Sequence, residues 1–357
     1  MGGGLVGAGG EERRRVGEAS RPARDAVERE LDSWLARRGG DRLAAVDSWA
    51  LANPGKLVRP VLLLESAGAV GGSWPSVLPA AVAVELTHVG SLLHDDVLDG
   101  DDLRRGRASV HRKFGAELAI LGGDGLLFAA FQQVVRCFER GVAADAVQRA
   151  VAVLAAAGRD LAAGVAGELD FSGAAPGGGA EAALAAYTEI ARLKTAALLR
   201  ASCEMGAVLG GGGSRQTQAL ADYGEALGIA FQIRDDLLPY TAGAARTGKP
   251  VDSDLRNARP SLPLLLVGAL GGEDAQARLS ALAAQDSDTR QAELVELLEE
   301  TGALKQARLI AQDYALLCHT ALDEIAPGPH RDVLRDLIGI AEVAEDTDPA
   351  GPSESPR

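Results

Sequence analysis

Aromatic residues are scarce, at 4% of the 357 residues, and no stretch alternates convincingly between apolar and polar positions as a half-buried strand does. A sheet-built core is excluded on both counts. The 47% of apolar residues, rich in Ala and Leu, favours packed helices instead. Positive charge is also short. With 36 Lys and Arg against 50 Asp and Glu, the net charge of −14 excludes the basic face that a nucleic-acid partner needs. It leaves an anionic substrate open, provided metal ions bridge the like charges. The three cysteines, Cys137, Cys203 and Cys318, are odd in number and widely spaced. They supply neither a disulfide framework nor a zinc motif, and are expected as buried, reduced thiols in a cytoplasmic protein. No GxxxxGK[ST] loop occurs, which excludes a P-loop ATPase. The opening MGGGLVGAGG is too glycine-rich for a signal peptide. Apolar runs such as LPLLLVGALGG (262–272) fall short of the ~20 residues that span a bilayer, so no integral membrane segment is expected.

Helical periodicity dominates the rest. Residues 1–20 and 346–357 are Gly-, Pro- and charge-rich and are expected to be disordered. The segment between, 21–345, is expected to form one all-α domain, a bundle of ten or more helices around a deep central cavity. The pattern predicts helices over 80–99, 116–141, 183–211, 218–238 and 304–326, with loops at 53–55, 71–75, 173–179 and 210–214.

One stretch carries an unusual charge pattern. HDDVLDGDDLRRG (94–106) holds five aspartates between positions 95 and 102, then Arg104 and Arg105. On a helix, Asp95 and Asp99 stand one turn apart on one face, about 5–6 Å between Cβ atoms, where they can share a small hard cation such as Mg²⁺. A second acidic pair, Asp235 and Asp236 in FQIRDDLLPY (231–240), also ends an apolar helix. Two such helices can clamp a diphosphate between metal ions. Cations surround them in sequence: Lys56 and Arg59 in GKLVRP, Arg104, Arg105, Lys194 inside RLKTAALL, and Lys249 in TGKP. Lys194 is flanked by apolar residues and requires either snorkelling or a buried anion. His88 lies about two turns below Asp95. Metal-bridged charge at a mouth and apolar helix walls beneath suit a diphosphate with a long hydrocarbon tail.

The ordered series GKLVRP, ELTH, SLLHDDVLD, DLRRGRASVHRKFG, GGD, GELD, RLKTAALL, GIAFQIRDDLL, TGKPVDSDL and RPSLP resembles the trans-polyprenyl diphosphate synthases, from about residue 25 to 345. The resemblance implies Mg²⁺-dependent, head-to-tail condensation of isopentenyl diphosphate with an allylic prenyl diphosphate, in a homodimer. It implies that Asp95, Asp99 and Asp235 hold three metal ions, with Asp96 in the same catalytic motif. Arg104, Lys194 and Lys249 would grip the allylic diphosphate, with Thr195 and Gln232 close by. Lys56, Arg59, His88 and Arg105 would bind isopentenyl diphosphate.

Two departures stand out. The second acidic motif reads DDLLP, with Pro239 where the family has aspartate, so its helix is expected to end near Leu238. The family's Gly-Lys-Arg is Gly55-Lys56-Leu57 here. Product length depends on the helix below Asp95. Gly90, about 7–8 Å along it, with Thr87 and Ser91 as neighbours, is expected to leave a tunnel open, which Phe128 or Phe131 would close lower down. A product of C20 or longer is expected. The alternatives are a terpene cyclase on the same scaffold, disfavoured by the second set of cations, and a catalytically silent partner subunit, for which Pro239 is the only support.

Overall fold

The structure, a computed structural model, describes residues 17–170, 179–241, 253–256, 259, 261–285 and 289–341. In chain order the helices are α1 (Arg21–Ala36), α2 (Arg42–Leu51), α3 (Val58–Ala69), α4 (Trp74–Asp99), α5 (Val110–Phe114), α6 (Ala116–Glu139), α7 (Ala144–Asp170), α8 (Gly179–Ala191), α9 (Ala197–Leu209), α10 (Ser214–Thr241), α11 (Ser253–Arg256), α12 (Leu262–Ala284), α13 (Arg290–Glu300), α14 (Ala303–Leu322) and α15 (Pro329–Leu337). The only strands among the described residues, β1 (Leu103–Arg104) and β2 (Arg107–Ala108), form a two-residue hairpin after α4. Residues 17–19 are already helical and Ser20 is buried, so order begins earlier than the composition implied.

Local chemistry sets several boundaries. Asp41 caps α2 by accepting a hydrogen bond from the Ala44 N–H at 2.7 Å. α4 begins at Trp74-Pro75, inside the expected GGSWP loop, because Pro fits the first turn of a helix. It ends at Gly100, whose φ of 68° is the left-handed stop that glycine favours. α10 runs three residues past the expected end and carries Pro239 internally. Pro at that position removes only one backbone donor, in the last turn. There the Thr241 hydroxyl donates to the Leu237 carbonyl at 3.1 Å.

Two apolar clusters form the interior. One is built on α3, α4, α6 and α9, with Leu62, Leu86, Leu126, Leu198 and Met205 fully buried. The other joins the C-terminal half of α10 to α12–α14. Three helices, α4, α6 and α7, are long and apolar enough to cross a bilayer, contrary to the expectation from shorter runs. Their apolar windows are 78%, 44% and 22% buried in the fold, so α4 is a core helix while α7 keeps most of its window exposed. Cys137, Cys203 and Cys318 are all buried and unpaired; burial pushes their thiols up to about 11, 12 and 12.

Candidate active site

α4 delivers the first acidic motif. Asp95 and Asp99 fall on one face of its last turns, at the negative end of the helix dipole, where carboxylates are disfavoured unless cations compensate. Burial raises the Asp95 carboxyl above its usual range; Lys194 opposes this and Asp99 adds to it. Asp99 lies 3.0 Å from the Arg259 guanidinium. The two oxygen-only donors, mutually repelling and one helical turn apart, fit a hard divalent cation. Among the described residues no group of three acidic, His or Cys side chains converges.

Asp96 points elsewhere. It is 2% exposed and accepts from Arg104 Nε at 2.8 Å and from Arg104 Nη2. Asp96, expected in the same catalytic motif, thereby orients Arg104, which also reaches Asp101 at 3.4 Å.

Lys194 and Thr195 sit in a π-helical turn, Arg192–Ala196, between α8 and α9. Such turns are rare and concentrate at functional sites. Two neighbouring helices approach this turn closely enough to exclude any side chain. A Cβ on Gly164 of α7 would lie 2.5 Å from the Lys194 nitrogen, and one on Gly228 of α10 would lie 2.4 Å from Ala196 Cα. One turn further along each helix, the partners meet. Glu168 of α7 pairs with Lys194, which is the anion that the apolar flanks required. Gln232 of α10 accepts from Thr195 Oγ1 at 2.5 Å. Gln232 in turn donates to Asp236 at 2.8 Å, and Asp236 also accepts from the Tyr187 hydroxyl at 2.6 Å and the Leu262 N–H at 3.0 Å. Burial pushes the Asp236 carboxyl up to about 7, with those three donors opposing. A cavity of about 280 Å³ opens here, lined by Glu168, Tyr187, Lys194, Thr195 and Gln232.

The remaining cations gather above α3. Arg59 stands in the first turn of α3, and burial lowers its pKa to about 10, with Glu85 and Asp235 opposing and Arg105 adding. His88 is held well below its ordinary pKa, first by burial and then by Arg59, Arg105 and Arg104. Arg105 donates to the Asn53 carbonyl at 2.5 Å, and its guanidinium lies 2.8 Å from where a Gly55 Cβ would be. Leu57 and Arg105 are the only non-glycine residues with positive φ among those described, and the loops that carry them face each other. Strained backbone of this kind persists where a site over-determines it. Lys56 is exposed in the same loop. Lys249 lies outside the described residues.

The product-length residues are placed differently from expectation. Gly90 does not open into a tunnel: a Cβ there would meet the Gly123 carbonyl at 3.0 Å and Leu126 and Leu127 at 3.4 Å. It is a crossing point of α4 and α6. Phe128 is 71% exposed on the outer face of α6 and cannot close an interior passage of this chain. Phe131 packs against the core. Thr87 and Ser91 are buried, their hydroxyls donating to the Ala83 and His88 carbonyls.

Sequence reasoning gave no role to Glu168, Tyr187, Arg259 or Glu85. For Glu168 and Arg259 a signal existed, since the GELD and RPSLP motifs contain or begin beside them. Tyr187 had none.

The Polyprenyl synthetase family model matches residues 42–301. A short chain isoprenyl diphosphate synthase of Methanothermobacter thermautotrophicus is 34% identical over 280 residues, covering 78% of this chain and 83% of the relative. A farnesyl diphosphate synthase of Geobacillus stearothermophilus is 38% identical over 248 residues, covering 68% and 82%. The crystal structure of geranylgeranyl pyrophosphate synthetase from Pyrococcus horikoshii superposes with a TM-score of 0.84 at 30% identity, covering 93% of this chain and 99% of that one. The helical fold thus recurs together with its sequence, and the chain belongs to the polyprenyl synthetase family.

Proposed function

We propose that this prenyltransferase joins isopentenyl diphosphate head-to-tail to an allylic prenyl diphosphate, and that it does so with Mg²⁺ held at Asp95 and Asp99, with Asp235 serving a third ion. The observation that carries the reading is the presence of two separate cation groups. Lys194, paired with Glu168 and acting electrostatically on Asp95, suits the diphosphate that leaves. Arg59 and Arg105 form the second group, with the uncharged His88 ring beside them, and suit a diphosphate that stays. A cyclase would have no use for the second group.

Bound Mg²⁺ would neutralise the allylic diphosphate and stabilise it as it departs. Lys194 supplies fixed positive charge where the leaving oxygens gain negative charge, and Arg104, oriented by Asp96, does the same from the hairpin. Thr195 and Gln232 hold the π turn that aims Lys194. The allylic C–O bond ionises, the isopentenyl double bond attacks the allylic cation to form the new C–C bond, and a proton then leaves to the released diphosphate. No side-chain nucleophile is required.

A product of C20 or longer is supported by the face of α4 below Asp95, which carries no aromatic residue between Ser76 and Asp99. The products named for the relatives run from farnesyl through geranylgeranyl and geranylfarnesyl to decaprenyl. A homodimer is supported by α6, where Leu121, Phe128 and Val135 recur at heptad spacing and are each more than half exposed. The unpaired thiols favour the cytoplasm. The test is product sizing by mass spectrometry after incubation with Mg²⁺, isopentenyl diphosphate and each of dimethylallyl, geranyl, farnesyl and geranylgeranyl diphosphates. Linear products ending at one length carry the reading. Cyclic hydrocarbon without isopentenyl uptake, or no turnover, overturns it.

A further inference from the structure

Glu85 lies on α4 one turn before His88, and is 1% exposed in the middle of the apolar core. A carboxylate in that position is costly unless it is paired and hydrogen-bonded. Among the described residues its Oε1 finds no hydrogen-bond partner, and neither does the buried Nε of Arg59 on α3. The two positive groups that act on Glu85 are Arg59 and Arg105, both in the group assigned above to isopentenyl diphosphate. Among the described residues Glu85 caps no helix and joins no ion pair within 4 Å.

We propose that Glu85 is a positioning residue of the isopentenyl diphosphate site, a buried counter-charge that holds the Arg59 guanidinium extended toward the second diphosphate. The inference rests on the reading that Arg59, His88 and Arg105 bind that diphosphate. A long arginine side chain in a partly buried site has two ways to lower its energy: it finds an anion or it retreats to water. Before substrate arrives, Glu85 and Asp235 are the two carboxyl groups that act on Arg59, Glu85 the more strongly. With Glu85 neutral, Asp235 is left as the carboxylate acting on Arg59. The guanidinium is then drawn toward the other acidic helix and away from the incoming diphosphate. Of the groups assigned to the allylic diphosphate, only Asp235 acts on Arg59 and none acts on Glu85.

The experiment is steady-state kinetics of Glu85→Gln, which keeps the shape and removes the charge, with each substrate varied in turn. The KM for isopentenyl diphosphate is expected to rise about tenfold, as for loss of one charge-assisted interaction. The KM for the allylic substrate and kcat should stay within about threefold, a split that a generally loosened core would not give. Equal rises in both KM values, or no rise in either, overturn the proposal. If E85Q does not fold, Glu85→Asp keeps the charge one methylene further back and should raise the isopentenyl KM alone by about threefold; equal effects on both substrates again overturn it. A wild-type protein that turns over allylic diphosphate but takes up no isopentenyl diphosphate would sink the underlying reading as well, and is distinguishable from failure of Glu85 alone.

Discussion

Substituting phenylalanine for Gly90 separates a tunnel floor from a helix crossing. If Gly90 lined a tunnel, a phenyl ring there would shorten the product and leave the fold intact. The structure puts the Cβ of any side chain at position 90 only 3.0 Å from the Gly123 carbonyl, and 3.4 Å from Leu126 and Leu127. Comfortable carbon–oxygen contacts begin near 3.3–3.6 Å, so the Cβ alone asks α4 and α6 to part by a few tenths of an ångström. An alanine recovers roughly 1 kcal/mol of helix propensity, so G90A should be near neutral. A phenyl ring has no such offset. It must displace the fully buried Leu126, an overpacking cost of about 3 kcal/mol or more. The same crossing is closed from the other side, where a Cβ on Gly123 would lie 2.3 Å from the His94 ring. Thermal unfolding followed by circular dichroism should therefore show G90F melting roughly 4 °C or more below wild type. Residual product, sized by mass spectrometry, should end at the wild-type length. A wild-type melting temperature with products one or more isoprene units shorter would refute the reasoning.

Lys194→Ala should lower kcat by about 10²–10³-fold, as for removal of a preorganised charge at a departing group, and single-turnover kinetics within threefold of wild type would contradict that. Asp96→Asn should lower kcat/KM about ten- to hundredfold through Arg104 while leaving the Mg²⁺ half-saturation unchanged; a shift in metal demand instead would make Asp96 a ligand. His330 Nδ1 sits 2.7 Å from the buried Glu65 carboxylate, so His330→Ala should destabilise by about 1–3 kcal/mol. The pH dependence of that loss has a sign. Burial raises the folded Glu65 pKa and His330 opposes the rise, so Glu65's contribution to stability falls as pH climbs through its folded pKa. Without His330 that pKa climbs further, so the deficit should grow as pH rises above the ordinary carboxylate range in melting curves, and a flat or shrinking deficit would contradict the assignment.

The sequence by itself determined the helical class, the positions of α4, α6, α10 and α14 to within a few residues, and the identity of most charged groups. Those features are local: periodicity, a glycine stop after Asp99, and a lysine whose apolar flanks required an anion. What only the tertiary structure decided was which helix answers which charge. Asp95 and Asp96 are neighbours of one type, yet a 100° step around α4 sends one to the mouth and the other under Arg104. Gly90 read as open space because spacing along one helix says nothing of the helix packed against it. Glu168 and Gln232 reach the π turn from helices on either side of it in the sequence, through close approaches that Gly164 and Gly228 permit. Glu85 resembled one polar residue in an apolar run until packing left it buried behind Arg59. Side-chain type and helical face are properties of a segment; burial and charge partners belong to the assembled bundle.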